Sequence, residues 1–593
     1  MEIREDLAPV RRRAVILLLV AFLALGALHM RVAQLQLVAG DHWRRMAENN
    51  RLRRLPLSAV RGTIYDRRGR ILADNRPTWN LLLFPDEAHN LDRTLLFVAN
   101  LGVSDAATLH DRVRRRGVDR LAPMLIADDL SWVQVARVRA HQSDHPELSV
   151  VAGFRRHYPF AAATAHAVGH LRLVSEDELA AEPELDPDAR VGATGIEALT
   201  DDFLRGDAGE RWVVVSALGR QLGVVRERPA VSGKDLAVTL DAELQQVAAA
   251  ALGDRAGAVA AIEPRTGAVR ILYSAPSFDP ELFTGRLSPV AWAELVDDPR
   301  HPLQDRSLQG TYPPGSTIKP FFALAGLSDH LVTPRTTVTC TGSLTLYGHR
   351  FRCWRRGGHG RVDMLQSIEA SCDVYYYQLG QKLGIEGMAR WLARFGFGRR
   401  SGIGLPSEAS GLIGTPEWSR RVRGTPWYPG EAVSVSIGQG PVLATALQLA
   451  RAYAALANGG WLVTPHLVVG AEDAPVIDLG IDPADLEVVT HGLELVVHGN
   501  HGTARSLGRL PVAGKTGTAQ VVRLADGVDS SDLDANLQHH AWFVGWAPID
   551  DPRLVVALIV EHGGGGGSVA APTAGAIFEA ALSSDRSVPG GAG

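Results

Sequence analysis

The residues best suited to covalent chemistry are Ser316 and Lys319, which follow a Pro-Pro-Gly turn. The segment predicts a helix that begins near Ser316, and residues three apart on a helix share one face. An amine beside a hydroxyl can take its proton, which is what an activated serine nucleophile requires. The positive end of the helix favours the alkoxide, and Pro320 is tolerated in a first helical turn. Ser316 and Lys319 are therefore a candidate nucleophile and base.

The lysines of this chain are scarce, and their positions are informative. Of 61 basic residues only four are lysines, and a buried lysine can act as a base whereas arginine is not deprotonated in proteins. Two of the four, Lys319 and Lys515, stand in Ser-x-x-Lys and Lys-Thr-Gly sequences, which occur together in one class of active-serine enzymes. Their occurrence in these two motifs indicates that Lys319 and Lys515 serve the same reaction, and it is not explained well by chance.

A third motif, Ser371-Cys372-Asp373, lies 55 residues after Ser316. Together the three motifs resemble those of penicillin-recognising serine D,D-transpeptidases, and the chain is similar to class B penicillin-binding proteins. Asp373 stands where the general motif has asparagine, and aspartate at this position is typical of the elongation, or rod-shape, type. The resemblance covers nearly the whole chain after residue 31.

The resemblance implies a role for each catalytic residue. Ser316 would attack the penultimate D-alanine carbonyl of a peptidoglycan stem peptide, and Lys319, held neutral by burial and by the charge of Lys515, would accept its proton. Ser371 would relay that proton to the leaving amine, while Asp373 would bond the substrate amide or Lys319. The amine of an acceptor stem would then complete the cross-link.

The resemblance also implies how the substrate is held. Lys515, Thr516 and Thr518 would receive the terminal carboxylate of the donor peptide, with Gly517 between them in the same strand. Backbone N–H groups of Ser316 and Thr518 would stabilise the oxyanion. β-Lactam antibiotics resemble this D-Ala-D-Ala end and are expected to acylate Ser316. No cofactor is expected for the catalysis itself.

Three alternatives stay open at this level. A serine β-lactamase shares the three motifs, although a long N-terminal region and a membrane anchor exceed what that activity requires. A membrane-anchored β-lactam sensor or regulator would keep the same serine site. Within the family, a division-type class B transpeptidase is the alternative to the elongation type. The lifetime of a penicillin adduct separates the first alternative from the others, because a β-lactamase hydrolyses its adduct rapidly.

The three cysteines, Cys340, Cys353 and Cys372, fall within 33 residues, and His359 lies among them. Three thiolates and one imidazole are a ligand set for tetrahedral zinc. Their spacing matches no common zinc-finger pattern, so a disulfide with a spare thiol, or free thiols, remain alternatives. The resemblance favours a structural zinc, because elongation-type proteins can carry a metal in this loop with its last ligand inside the Ser-x-Asp motif.

The elements that position these motifs belong to more than one domain, because 593 residues exceed a single hydrophobic core. Apolar runs at 257–263 and 267–273, separated by a Pro-Arg-Thr turn, predict a hairpin that opens an α/β domain. Segments at 61–69, 156–159 and 192–197 resemble signatures of the non-catalytic pedestal of class B proteins. They are therefore expected to be structural.

The expected fold class is α/β. The resemblance implies a penicillin-binding transpeptidase fold, in which helices flank an antiparallel sheet, with an elongated α+β N-terminal pedestal and one transmembrane helix. The expected segments are a cytoplasmic tail at 1–13, a transmembrane helix at 14–37, a pedestal at 38–235, a transpeptidase domain at 236–585 and a flexible tail at 586–593.

Residues 14–30 are uncharged and follow three consecutive arginines. At about 1.5 Å per residue they span roughly 25 Å, near the lower limit for crossing a bilayer, and continuation to residue 37 lengthens the span. Arginines lie on both sides, but a long domain after the first helix is translocated largely regardless of charge. We therefore expect a single-pass inner-membrane protein with a periplasmic catalytic domain. A cleaved signal peptide is the alternative.

The net charge of the chain indicates which classes of binding partner to expect. A net charge of −4 gives no reason to expect a nucleic-acid partner. The resemblance implies peptidoglycan stem peptides and β-lactam antibiotics as ligands. It also implies a polytopic SEDS-type glycosyltransferase as a partner, contacted through the membrane helix and the pedestal.

Overall fold

The computed structural model describes residues 8–38, 52–102, 104–115, 123–182, 185–215, 221–285, 287–471, 475–522 and 533–586. Residues 1–7 of the expected cytoplasmic tail lie outside these ranges. The expected C-terminal tail lies outside them as well, apart from Arg586.

The described strands are, in chain order, β1 (Leu52–Leu57), β2 (Ile64–Tyr65), β3 (Ile71–Leu83), β4 (Met124–Ala127), β5 (Leu148–His157), β6 (Leu171–Leu173), β7 (Arg190–Gly192), β8 (Gly209–Val215), β9 (Gln221–Arg228), β10 (Leu236–Ala237), β11 (Gly257–Ile262), β12 (Val269–Ala275), β13 (Val338–Cys340), β14 (Ser343–Leu346), β15 (His349–Arg352), β16 (Gly360–Val362), β17 (Leu412–Ile413), β18 (Val442–Leu443), β19 (Trp461–Leu462), β20 (Ile477–Asp478), β21 (Ala513–Ala519), β22 (His540–Ala547) and β23 (Leu554–Val560).

The described α-helices are α1 (Ala8–Ala33), α2 (Leu91–Asn100), α3 (Ala106–Arg115), α4 (Trp132–Ala140), α5 (Ala165–Val168), α6 (Glu176–Ala181), α7 (Gly195–Leu199), α8 (Asp201–Arg205), α9 (Ala242–Leu252), α10 (Pro289–Val296), α11 (Lys319–Ser328), α12 (Met364–Glu369), α13 (Asp373–Arg394), α14 (Pro416–Trp418), α15 (Pro429–Val435), α16 (Ala446–Ala457), α17 (Pro483–His498) and α18 (Ala571–Arg586). Short 3-10 helices lie at Pro85–Glu87, Ala161–Ala163, Pro280–Phe283, Gly315–Ile318, Arg505–Leu507 and Ala535–Leu537, and π-helical turns at Gln34–Val38, Ser419–Arg423 and Gly566–Ala570.

Helix α1 contains the apolar segment that the sequence predicts as a membrane span. It begins at Ala8, inside the expected cytoplasmic tail, and continues through the π-helical turn Gln34–Val38. Its stretch Arg11–Val38 is 28 residues long, and its apolar side chains are exposed. About 20 apolar residues cross a bilayer as a helix, so α1 fits a single-pass membrane anchor.

The chain forms two compact units, of which the first comprises residues 1–60, 77–154 and 207–231. In this unit β8 lies between β1 and β9 in an antiparallel sheet. The C-terminal half of β3 pairs with β4, and β5 pairs with β3. Helices α2, α3 and α4 bury apolar side chains such as Leu95, Leu109 and Val135 against these strands. Helix α4 begins at a capping box of Ser131 and Gln134.

The second unit comprises residues 61–76, 155–206 and 232–593, and it contains all three active-serine motifs. Its main sheet is antiparallel, in the strand order β12-β11-β23-β22-β21. Strands β11 and β23 are continuous apolar runs buried on both faces, which requires cover on both sides. Helices α9 and α18 pack together and on the sheet, and α16 packs on β11, β22 and β23. This architecture confirms the expected sheet flanked by helices.

Strand β21, which carries the Lys-Thr-Gly motif, is the edge of that sheet. Its neighbours beyond the sheet include the Gly315–Ile318 turn, the Gly566–Ala570 turn and helix α17. Helix α16 is mostly apolar and almost entirely buried, including its two polar residues Gln448 and Arg451. The hydroxyl of its Tyr453 donates to the carbonyl of Thr317 at 2.7 Å, which fixes the turn against the core.

The pedestal signatures predicted to be structural meet at one buried carboxylate in the second unit. Glu197 is fully buried, and its two oxygens accept from Arg61 and Arg156 at 2.7 Å each. Arg61 also pairs with Asp201 at 2.7 Å, and Tyr158 donates to Glu197 at 3.4 Å. Removing one member of a buried ion cluster leaves the others without their counter-charge, so this cluster is sensitive to single substitutions.

We expect Glu197→Gln to lower the free energy of unfolding by about 3–5 kcal/mol, because it leaves Arg61 and Arg156 buried without that carboxylate. The matched control is Glu579→Gln, which removes an exposed pair with Arg509 and should cost less than about 1 kcal/mol. Denaturant unfolding of the detergent-solubilised protein measures both. Equal small changes for the two variants would contradict this prediction.

Candidate active site and metal centre

Ser316 and Lys319 stand at the beginning of a helical segment, as predicted. Ser316 lies in the 3-10 turn Gly315–Ile318, and α11 follows directly with Lys319 as its first residue. In a 3-10 turn, residues three apart eclipse one another, so both side chains lie on one edge. Lys319 is fully buried, while Ser316 is partly exposed. The nucleophile candidate therefore remains accessible while the amine is removed from water.

The turn before Ser316 depends on close backbone approaches. Gly315 has φ of +56°, a left-handed conformation suited to glycine, and its N–H donates to the carbonyl of Gly438 at 2.9 Å. A Cβ at Gly315 would lie 2.6 Å from the carbonyl oxygen of Thr518. The turn is thus held between strand β21 and the loop that contains Gly438.

The amine of Lys319 reaches the Ser-x-Asp motif. Its Nζ lies 2.7 Å from Asp373 Oδ1, 3.1 Å from Ser371 Oγ and 2.9 Å from the Ser371 carbonyl oxygen. The same Nζ also lies 5.3 Å from the ring centroid of Tyr376. Of the two partners expected for Asp373, substrate amide or Lys319, the structure shows Lys319. Ser316 Oγ makes no hydrogen bond within the described residues, as is common for catalytic groups before substrate binds.

The charges at the site lie in a buried environment. Burial, and then the nearby charge of Lys319, holds the pKa of Lys515 well below its usual range. Burial raises the pKa of Asp373 against the opposing effect of Lys319. Lys515 Nζ donates to the carbonyl of Thr516 at 3.1 Å. Two amines and one carboxylate therefore share this buried region.

Strand β21 presents the remaining predicted residues. Thr516 is buried and its Oγ1 lies 2.6 Å from Thr503 Oγ1, whereas Thr518 is partly exposed. Gly517 has no room for a side chain, because a Cβ would lie 2.8 Å from Thr317 Cγ2. All three residues lie beside the turn that carries Ser316.

Sequence reasoning missed two residues at this edge. Gln439 Nε2 donates to the carbonyl of Thr518 at 2.9 Å, and its Oε1 accepts from the N–H of Gln520 at 3.3 Å. Thr503 bonds Thr516, as described above. Neither Gln439 nor Thr503 lies in one of the three active-serine motifs, so no sequence signal assigned a role to either residue.

The cysteines and His359 form one cluster, as predicted. Ligand atoms of Cys340, Cys353, His359 and Cys372 all lie within 4.8 Å of one another. His359 Nδ1 is 3.6 Å from Cys340 Sγ and 3.5 Å from Cys353 Sγ. Tetrahedral zinc with ordinary bond lengths separates sulfur and nitrogen ligands by about 3.6 Å, so this geometry fits zinc.

The three thiols of the cluster are buried and free, so no disulfide joins them. The hydrogen bond between Cys353 and Cys372 lowers the pKa of Cys353 to about 3, against the effect of burial, and raises the pKa of Cys372. A thiolate is the form that binds a metal. The donor set and its spacing therefore both suit a structural metal.

Separate elements supply the ligands of this cluster. Cys340 ends β13, which pairs with β16 next to His359. Cys353 follows β15, and its N–H donates to the carbonyl of Gly342 at 2.9 Å. Cys372 is the N-cap residue of α13, between Ser371 and Asp373. The cluster thus ties a surface hairpin to the motif that contacts Lys319.

Two family models match the chain. The penicillin binding protein transpeptidase domain matches residues 257–579, and the penicillin-binding protein dimerisation domain matches residues 56–238. The first range contains Ser316, Lys319, Ser371 and Lys515. The second contains the buried cluster around Glu197.

Curated and solved relatives are similar along most of their length. The peptidoglycan D,D-transpeptidase MrdA of Haemophilus influenzae is 35% identical, over 96% of this chain and 91% of its own. The penicillin-binding protein PBP2 of Helicobacter pylori, solved in complex with MreC, is 26% identical with a TM-score of 0.79, over 90% of this chain and 99% of its own. A chain of a peptidoglycan synthase complex, described as coordinating polymerization and crosslinking, is 29% identical with a TM-score of 0.69, over 99% of this chain and 100% of its own.

Proposed function

The chain belongs to the penicillin-binding protein transpeptidase family, and from that premise we propose that Ser316 is the nucleophile by which it cross-links peptidoglycan. It is an elongation-type D,D-transpeptidase, in agreement with its curated relatives named MrdA. The observation that carries the assignment of residues is the contact of Lys319 Nζ with Ser371 Oγ and Asp373, one turn after Ser316.

The acyl-enzyme forms through a tetrahedral intermediate. Lys319, as the free base, takes the proton of Ser316 while Oγ bonds to the penultimate D-alanine carbonyl carbon of the donor stem. The bond from that carbon to the terminal D-alanine nitrogen then breaks, and the proton reaches the leaving amine through Ser371. An amine of the acceptor stem then attacks the ester carbonyl carbon. The bond from that carbon to Ser316 Oγ breaks, and the proton of the amine returns through the same relay to Oγ. The new amide is the cross-link.

The donor is held along strand β21. The N–H groups of Ser316 and Thr518 stabilise the oxyanion, since their segments lie in contact through Gly315. Lys515, Thr516 and Thr518 receive the terminal carboxylate of the donor. Gly517 allows the strand to approach the turn. Gln439 and Thr503 fix this strand through their bonds to Thr518 and Thr516.

The lifetime of the penicillin adduct tests this function against its alternatives. We expect fluorescent penicillin to form an adduct on Ser316 that survives much longer than a catalytic turnover, and we expect the protein to cross-link stem peptides of nascent glycan. Rapid hydrolysis of the adduct would indicate a β-lactamase. A stable adduct without any cross-linked product would indicate a sensor or regulator.

The lowered pKa of Lys515 predicts a pH dependence of ligand binding. Its protonated form attracts a carboxylate, so the affinity for penicillin should fall as pH rises through that lowered pKa. The dissociation constant, measured in a Ser316→Ala background, should therefore increase with pH. Lys515→Arg in the same background should remove this increase, because arginine keeps its charge. The same pH dependence in both proteins would contradict the role given to Lys515.

We propose that Cys340, Cys353, His359 and Cys372 hold a structural zinc ion. The observed separations of 3.5 and 3.6 Å between His359 Nδ1 and two sulfurs support this assignment. A closed site of four protein ligands has no open position, so the ion supplies folding energy and no catalytic chemistry. Its effect is to hold the hairpin against Ser371 and Asp373.

Metal analysis of protein purified without chelator tests the zinc proposal. We expect about one zinc per chain and a large loss of zinc in His359→Ala. The matched control is His349→Ala, an exposed histidine of β15, which should keep the metal. Absence of zinc from the unmodified protein would refute the proposal.

We propose a SEDS-type glycosyltransferase as the membrane partner, contacted through α1 and the pedestal. Support comes from the similarity to a chain of a peptidoglycan synthase complex and to a PBP2 solved with MreC. Co-purification of the full chain with such a polymerase, compared with a chain whose α1 is replaced by an unrelated apolar helix, tests this. Equal recovery with both chains would exclude a contribution of α1.

We propose that the chain spans the inner membrane once, with residues 38–235 as pedestal and 236–585 as transpeptidase domain in the periplasm. The apolar helix α1 and the matched ranges 56–238 and 257–579 support this arrangement. Protease digestion of spheroplasts tests the orientation. Protection of the catalytic domain in intact spheroplasts would contradict it.

A further inference from the structure

Trp354 belongs to the loop between two residues of the metal centre, Cys353 and His359, yet its polar groups point to the catalytic motif. Its backbone N–H donates to Asp373 Oδ2 at 2.9 Å. Its indole Nε1–H lies 3.1 Å from the carbonyl oxygens of Ala370 and Ser371. One residue therefore makes contacts with both ends of the Ser-x-Asp motif.

The carbonyl of Ser371 has two donors. Lys319 Nζ donates to it at 2.9 Å, and the indole of Trp354 donates at 3.1 Å. Ser371 itself has φ of +54°, a left-handed conformation that a non-glycine residue holds only when its surroundings impose it. The indole hydrogen bond restrains the peptide plane that leaves Ser371, next to the hydroxyl that contacts Lys319.

Packing does not explain this tryptophan. Its side chain is 58% exposed, so burial contributes little of its effect. The ring lies edge-on to His359, with centroids 5.3 Å apart, and only its N–H end reaches inward. The ring of Trp354 remains largely in water while its N–H contacts Ser371, a residue with a strained backbone. This arrangement suits a side chain that orients Ser371.

We propose that Trp354 is a positioning residue of the transpeptidase, whose indole N–H holds Ser371 so that Lys319 and the leaving amine can exchange a proton through its hydroxyl. This inference rests on the proposed roles of Ser316, Lys319 and Ser371. Trp354 itself touches neither the nucleophile nor the substrate carbonyl. Its removal should therefore slow acylation without weakening the initial binding of penicillin.

Two variants of the full chain test the proposal. Trp354→Phe removes the indole, and replacement of Trp354 by β-(3-benzothienyl)alanine keeps the ring shape but lacks the N–H. We expect both to lower the acylation rate constant for fluorescent penicillin about tenfold, the effect of one hydrogen bond. The dissociation constant of the initial complex, the melting temperature and the zinc content should be unchanged. Trp461→Phe, at a similarly exposed tryptophan outside the site, should acylate as the unmodified chain does.

A benzothienylalanine variant that acylates at the unmodified rate overturns the proposal, because the N–H is then irrelevant. Loss of zinc in proportion to loss of rate also overturns it, since the effect would then act through the metal centre. Failure of the proposed function is a different result: the unmodified chain would form no adduct on Ser316. If the unmodified chain forms the adduct on Ser316 and the Trp354 variants acylate at the same rate, only the positioning role is refuted.

Discussion

Replacing Ser316 by alanine is expected to abolish covalent labelling by fluorescent penicillin, with the acylation rate falling about 10⁴-fold or more. The reason is that the alanine variant has no oxygen in the turn Gly315–Ile318 to form the ester. Gel fluorescence after a time course of labelling, with peptide mapping of the adduct, measures the effect. Cross-linking of stem peptides should be lost to the same extent.

Two variants accompany this measurement. Ser583→Ala, at an exposed position of α18, should label like the unmodified protein. Ser371→Ala should still label at Ser316, with a rate lowered about 10²-fold, because it removes a proton relay and leaves the nucleophile. Persistent labelling of the Ser316→Ala variant would place the nucleophile elsewhere and refute the assignment.

Replacing Lys319 by arginine is expected to lower the acylation rate about 10³-fold to 10⁴-fold. Arginine keeps the positive charge but is not deprotonated in proteins, so it cannot accept the serine proton. The guanidinium is also wider than an amine, and the fully buried position of Lys319 leaves it no solvent-exposed space. The rate of adduct formation at saturating penicillin measures the loss.

The scarcity of lysine supplies the matched control for this prediction. Lys382→Arg should acylate normally, because the amine of Lys382 makes a long contact of 3.4 Å with the carbonyl of Leu331. Lys319→Met, which fits the buried space better than arginine, should be as slow as Lys319→Arg, although it lowers the melting temperature by leaving Asp373 without its counter-charge. A Lys319→Met variant that acylates at the normal rate would show that another group is the base.

The electrostatics differ in one respect from what the motifs alone suggest. The sequence predicts that Lys319 is kept neutral by burial and by Lys515. In the structure Lys319 is paired with Asp373, and the amine whose pKa lies well below its usual range is that of Lys515. Neutral Lys319 at the moment of attack stays a prediction, and the two lysine substitutions test it.

The sequence alone pointed to the chemistry that we propose, because the candidate reacting groups are encoded as short local patterns. Ser316 and Lys319 are three residues apart, and the turn and helix that carry them follow from Gly315 and Pro320. The hairpin of β11 and β12 was predictable for a similar reason, since its two apolar runs are separated by a short turn. The cysteine cluster was also visible, because three thiols and His359 fall close together in the chain.

Tertiary structure alone decided which distant groups complete the site. Gln439 and Thr503 bond to strand β21 from other parts of the chain. Trp354 likewise bonds to Ser371 and Asp373, and one of its bonds joins a side chain to a backbone carbonyl. No periodicity in the sequence encodes these bonds. The two compact units likewise interleave segments that are separate in sequence. A short pattern specifies residue type and local conformation, whereas the partner of a buried amine is fixed only when the whole core has packed.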